Sequence, residues 1–112
     1  MVKIFTTTGF TREAKNIAKK YKSFTDDLID LIESLEKNPT QGTIVYKNMY
    51  KIRMPIKSMG RGKSGSARVI SVVAAKTDEE NTKVALVTIF LKKDQDNISD
   101  KRLKQLKEES GL

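Results

Sequence analysis

Residues 47–68, KNMYKIRMPIKSMGRGKSGSAR, hold seven basic side chains and no carboxylate. Lys51, Arg53 and Lys57 fall on one parity, and Ile52, Met54 and Ile56 on the other. In an extended strand that alternation buries an apolar face and presents a cationic one. The glycine–serine run SMGRGKSGS follows, carrying Arg61 and Lys63, and Arg68 then heads a second strand that pairs back. A strand, a basic loop and a strand concentrate positive potential on a small area, which suits a polyanion such as RNA or DNA.

Working outward, residues 67–75 (ARVISVVAA) are nearly apolar on both faces and read as a central strand. Residues 76–82 form the turn into a further strand over 83–91 (KVALVTIFL), so residues 49–56, 67–75 and 83–91 make an antiparallel meander. Pro55 has no N–H to give to a ladder, which places the first of these strands at an edge or puts a bulge near its end. Upstream, residues 2–6 read as a short opening strand. Phe10, Ala14, Ile17, Ala18 and Tyr21 then recur at helical spacing. Ser23 and Asp26 approximate a capping box for a second helix bearing Phe24, Leu28, Leu31, Ile32 and Leu35, which Asn38-Pro39 ends. Downstream of a charged connection at 92–97, Ser99 or Asp100 caps a last short helix. With only Leu103 and Leu106 to bury, it docks lightly. The expected fold is α+β: a helical hairpin packed on a small antiparallel sheet with a short C-terminal helix, in a single domain over residues 1–112.

Composition narrows the chemistry. The 112 residues suffice for one modest core and include neither cysteine nor histidine. A thiolate nucleophile, a disulfide, the usual zinc sites and the commonest acid–base side chain are therefore excluded, and no metal or cofactor is expected. No apolar run approaches the roughly 18 residues that span a bilayer. The opening MVKIFTTTG lacks the apolar core of a secretory signal, so the cytoplasm is the expected location and no membrane partner is expected. The net charge of +8 is unevenly spread: residues 26–36 carry five carboxylates and no base. GRGKSGS is not a phosphate-binding P-loop, because Lys57 stands where that motif needs its first glycine and strand-formers follow where it needs a helix.

The order strand, helix, helix, three antiparallel strands and short helix resembles the RelE/ParE toxin superfamily. It is closest to the RelE/HigB-like branch, which has an extended basic glycine loop. The resemblance is carried by Tyr50-Lys51-Ile52-Arg53, by residues 57–65 (KSMGRGKSG) and by Ala67-Arg68-Val69-Ile70. Asn38-Pro39 with Gly42, Val87-Thr88-Ile89-Phe90 and Asn97-Ile98-Ser99-Asp100 extend it over nearly the whole chain. It implies the toxin of a type II toxin–antitoxin system, an mRNA endoribonuclease acting at the ribosomal A site and held inactive by a cognate antitoxin. The implied chemistry is metal-independent attack of the substrate's own 2′-OH on the adjacent phosphate. Crowding among cations favours loss of a proton from a lysine, which makes Lys51 the first candidate for the base. Arg53 and Arg68 would bind the scissile phosphate. Lys47, Lys57, Arg61, Lys63, Lys92 and Lys93 would contact RNA, and Phe90 would stack on a base where relatives place a tyrosine. Two other readings compete: a ParE-like poison of DNA gyrase, and a non-catalytic nucleic-acid-binding module.

Overall fold

The computed structural model describes residues 2–60, 65–74 and 81–112. Its elements are β1 (Lys3–Thr6), α1 (Thr8–Ala18), α2 (Phe24–Lys37), β2 (Thr43–Tyr46), β3 (Met49–Pro55), a 3-10 turn (Lys57–Met59), β4 (Ser66–Ala74), β5 (Lys83–Leu91) and α3 (Asp100–Ser110). The α+β class and the antiparallel β3–β4–β5 meander are as the sequence predicts. The sheet, however, is mixed and five-stranded, in the order β1-β5-β4-β3-β2. β1 pairs parallel with β5, and β2 forms a hairpin with β3 that hydrophobic periodicity alone did not reveal.

β4 is the middle of this sheet and is buried along almost its whole length. Its two faces feed two cores. Ala67, Val69 and Val73 lie under α1 and α2, with Ile52, Met54, Leu86, Ile89, Phe10, Ile17 and Leu35. Ile70 and Val72 face the opposite way, with Met49, Val87 and Phe90 and with Leu103 and Leu106 of α3. The third helix therefore covers the face that the helical hairpin leaves open, although its exposed side is almost wholly charged.

A bulge in β5 sets which residues reach which core. Ile70 pairs with Thr88 and Ser71 with Leu86, so Val87 is the extra residue. Beyond it the parity reverses: Ile89 and Leu91 return beneath the helical hairpin, and Phe90 turns to the outer face, opposite Arg68.

Two expectations are corrected. β3 is not an edge strand, because β2 pairs with it, but β2 reaches only to Lys51. Pro55 lies past that point, and Ile56 rather than Pro55 donates its N–H across to Gly65 O at 3.0 Å. The missing donor at Pro55 therefore leaves no ladder bond unmade. Ser23 starts α2 but makes no side-chain cap; its hydroxyl donates instead to the Asp27 carboxylate at 2.7 Å. Thr7 and Ser99 cap α1 and α3, accepting from Phe10 N and Arg102 N.

Gly42 leads into β2 at φ +103°, and a Cβ there would meet the Lys51 carbonyl oxygen at 2.6 Å. Gly42→Ala is expected to destabilise the fold by about 1–3 kcal/mol, through backbone strain and a clash that only movement of β3 relieves. Urea unfolding followed by circular dichroism checks this; an unchanged midpoint would contradict it.

Candidate nucleic-acid interface

Three of the seven basic residues in the opening stretch are brought together by strand register alone. Met49, Lys51 and Arg53 occupy the outer face of β3, and Arg53 stands directly across from Arg68 of β4, with their Cβ atoms about 5 Å apart. Lys51 lies two residues along, opposite Ile70 and about 7 Å from Arg53. Phe90 follows on β5 in the same row as Arg53 and Arg68. The row thus reads Arg53, Arg68, Phe90 across the sheet, with Lys51 beside it.

Within this row Arg68 is the constrained member. Its side chain is 12% exposed, against clear exposure for Arg53. Burying a guanidinium requires donors to be satisfied. Its Nη1 donates to Ser66 Oγ at 2.9 Å and to the Ala67 carbonyl at 3.4 Å, while Nε lies 3.8 Å from Asp96 Oδ1. Lys51 Nζ donates to the Asp96 carbonyl and to Asn97 Oδ1, each at 3.3 Å. Ser66, Asp96 and Asn97 are thus part of the site, although they escaped the sequence reading. Ser66 is two residues from Arg68 on one strand, a spacing that would have found it; Asp96 and Asn97 arrive only by tertiary folding. Beside them, Val45, Lys51, Ile70, Asn97, Ile98, Asp100 and Leu103 line a cavity of about 240 Å³.

The other basic residues are placed differently. Lys57 departs from the cationic face because the strand ends at Pro55 and the chain enters a 3-10 turn. Its ammonium instead lies 3.5 Å from Asp30 on the acidic helix α2, with both side chains largely exposed. Lys47 sits at the tip of the β2–β3 hairpin, beyond Met49, where its carbonyl accepts from Lys107 of α3. That tip is at the opposite end of β3 from Arg53. Lys92 follows β5, and its N–H donates to Ser66 O at 3.0 Å, at the margin of the row. Lys93 turns to the helical side, with its ammonium 5.9 Å from the centre of the Tyr21 ring. Hydrogen bonding to Tyr21, then its charge, holds Lys93 protonated above the ordinary lysine range. Arg61 and Lys63 lie outside the described residues.

The basic loop starts from a fixed point. Asp27, buried on the inward stripe of α2, accepts from Ser23 Oγ and from Lys57 N at 3.1 Å, and Ser58 N donates to Ser23 Oγ at 2.8 Å. This knot binds the end of β3 to α2. Chemically, the outer face offers two guanidiniums, one of them oriented by its own strand, and an amine next to them. That set can bind a phosphate in paired contacts and neutralise charge developing on it. Among the described residues there is no group of three or more side chains suited to a metal ion.

A family model described as the RelE toxin of the RelE / RelB toxin-antitoxin system matches residues 2–111. A search of the curated proteins found no match.

Asp27→Ala is expected to cost about 1–3 kcal/mol in urea unfolding, because it strips Ser23 and the Lys57 amide of their acceptor. Equal stability of wild type and variant would show that the knot is not structural. For Lys93 the raised pKa fixes the sign of the pH dependence. The Tyr21 contact stabilises the fold fully below the ordinary lysine value and is lost as pH rises through the higher folded value. Tyr21→Phe should therefore flatten the alkaline limb of the stability–pH curve; an unaltered limb in that variant would contradict the contact.

Proposed function

The chain belongs to the RelE toxin family of toxin–antitoxin systems, and from that membership we propose that it is a cytoplasmic, ribosome-dependent mRNA endoribonuclease. Its activity inhibits translation until a cognate antitoxin binds. The observation that carries the reading is the convergence of Lys51, Arg53 and Arg68 on one face of adjacent strands, with Arg53 and Arg68 in register.

In the proposed reaction the substrate phosphate is held between Arg53 and Arg68, with Lys51 on the side of the 2′-OH. Lys51, as the amine, takes the 2′-OH proton while the oxygen bonds to phosphorus. The two guanidiniums stabilise the added negative charge as it develops. The P–O5′ bond then breaks, and the departing oxygen takes up a proton, leaving a 2′,3′-cyclic phosphate and a 5′-OH. No covalent enzyme intermediate is formed, so the absence of cysteine and histidine is no obstacle. Phe90 is only 9% exposed, so a base could stack on it only after the outer face opens, and it cannot transfer a proton. Lys92, at the margin of the row, is suited to a flanking phosphate. Lys47 and the sequence-expected RNA contacts Arg61 and Lys63 would extend the footprint along the ribosomal or messenger RNA. An acidic antitoxin segment is the natural complement of this face.

Lys51→Ala, Arg53→Ala and Arg68→Ala are each expected to lower mRNA cleavage by 10²-fold or more while the protein stays folded. Primer extension in a purified translation system, with and without ribosomes, reads this directly. Cuts within the A-site codon that need the ribosome and all three cations support the proposal. No cutting by folded, antitoxin-free wild type would reject it, and a DNA gyrase cleavage assay would then decide for the ParE-like reading.

A further inference from the structure

The connection between β5 and α3 passes over the cations of the outer face, where Asp96 and Asn97 touch them. Asp94 N and Gln95 N both donate to the Leu91 carbonyl, at 3.0 and 3.2 Å, and Gln95 Nε2 donates to Asn97 O at 3.1 Å. Ser99 then caps α3 by accepting from Arg102 N at 3.2 Å. Between these two anchors the chain arches across the outer face. There the Asp96 carboxylate stands 3.8 Å from Arg68 Nε, and the Asp96 carbonyl and Asn97 Oδ1 each take a hydrogen bond from Lys51 Nζ.

We propose that Asp96 and Asn97, at the crest of this arch, form a displaceable cover over the cationic face, in which Asp96 holds the position of an incoming phosphate and is expelled when a polyanion binds. The inference rests on the reading of this face as an RNA site and adds its regulation. Two features point to a cover rather than a structural brace. The Asp96 side chain is 54% exposed, so it fills no core, and Arg68 Nη1 keeps Ser66 Oγ and the Ala67 carbonyl as acceptors when the carboxylate leaves Nε. At 3.8 Å the pair is also longer than a charge-assisted hydrogen bond, so solvent screens it and it is worth no more than about a fivefold preference. Such a contact yields to a phosphodiester chain, which engages Arg68, Arg53 and Lys51 together, yet it handicaps a lone small anion. The arch therefore imposes a threshold: several phosphates or a positioned substrate open it, whereas the free anions of the cell leave it closed.

The test measures binding rather than cleavage, using two probes: inorganic pyrophosphate, by calorimetry, and a fluorescent 2′-O-methyl RNA that cannot be cut, by anisotropy. Asp96→Asn keeps the size of the side chain and removes its charge. It should bind both probes roughly twofold to fivefold more tightly than wild type. In an Arg68→Ala background, or Arg68→Gln if the alanine variant does not fold, that gain should disappear. Pyrophosphate affinity that is unchanged or weaker in folded Asp96→Asn would overturn the cover. So would a gain that survives loss of Arg68, since it would then be a general effect of net charge. A gain for pyrophosphate with no RNA binding by any form would uphold the cover and reject the RNA reading of the face beneath it.

Discussion

A guanidinium on the central strand of the sheet is the constraint from which the site follows. β4 is packed on both faces, and its only charged side chain is Arg68. Removing that charge from water is affordable only where oxygens replace the water, and Ser66, Ala67 and Asp96 supply them. Directly across stands Arg53, a second cation whose Cβ lies about 5 Å from that of Arg68, and like charges placed opposite each other disfavour pairing.

The remainder of the architecture keeps that pair fixed while leaving it reachable. The helical hairpin of α1 and α2 closes the centre of one face of the sheet, with Phe10, Leu31 and Leu35 against Ile52, Met54 and Val69. α3 closes only part of the other, through Leu103 and Leu106 against Met49, Ile70 and Val87. The part that α3 leaves open is the end of the sheet where Arg53, Arg68 and Phe90 lie in one row, and there the β5–α3 connection passes over it. The acidic helix α2 is on the opposite side, and its Asp30 meets Lys57 there. The carboxylates of α2 thus lie across the thickness of the sheet from Arg53 and Arg68, which limits how far they weaken the field of the outer face.

How much of this was legible in the chain depends on the kind of information each part carries. Alternation over residues 49–56 and the two-sided apolar run of 67–75 determined the strands. From these followed the outward placement of Lys51 and Arg53, and helical spacing determined α1 and α2. The lack of cysteine and histidine limited the chemistry before any coordinate was considered. Lys57 shared the parity of Lys51 and Arg53 yet lies elsewhere, because parity holds only while the strand continues and this one stops at Pro55. β2 was missed because four residues, TIVY, show too little alternation to stand apart from a loop.

Tertiary structure alone decided the rest. The run VALVTIFL is apolar at almost every position, so nothing in it says that Val87 is the extra residue of a bulge. Only pairing with β4 turns Phe90 outward to face Arg68. The register that sets Arg53 opposite Arg68 is likewise a property of two strands separated by a loop. Asp96 and Asn97 meet Arg68 and Lys51 across more than 25 residues of chain, through an arch whose path the packing of α3 dictates. Sequence by itself determined which side chains are cations and which face of each strand they take, because those depend on local period. Which cations meet, and what covers them, depends on contacts between distant segments, and these exist only once the core has closed.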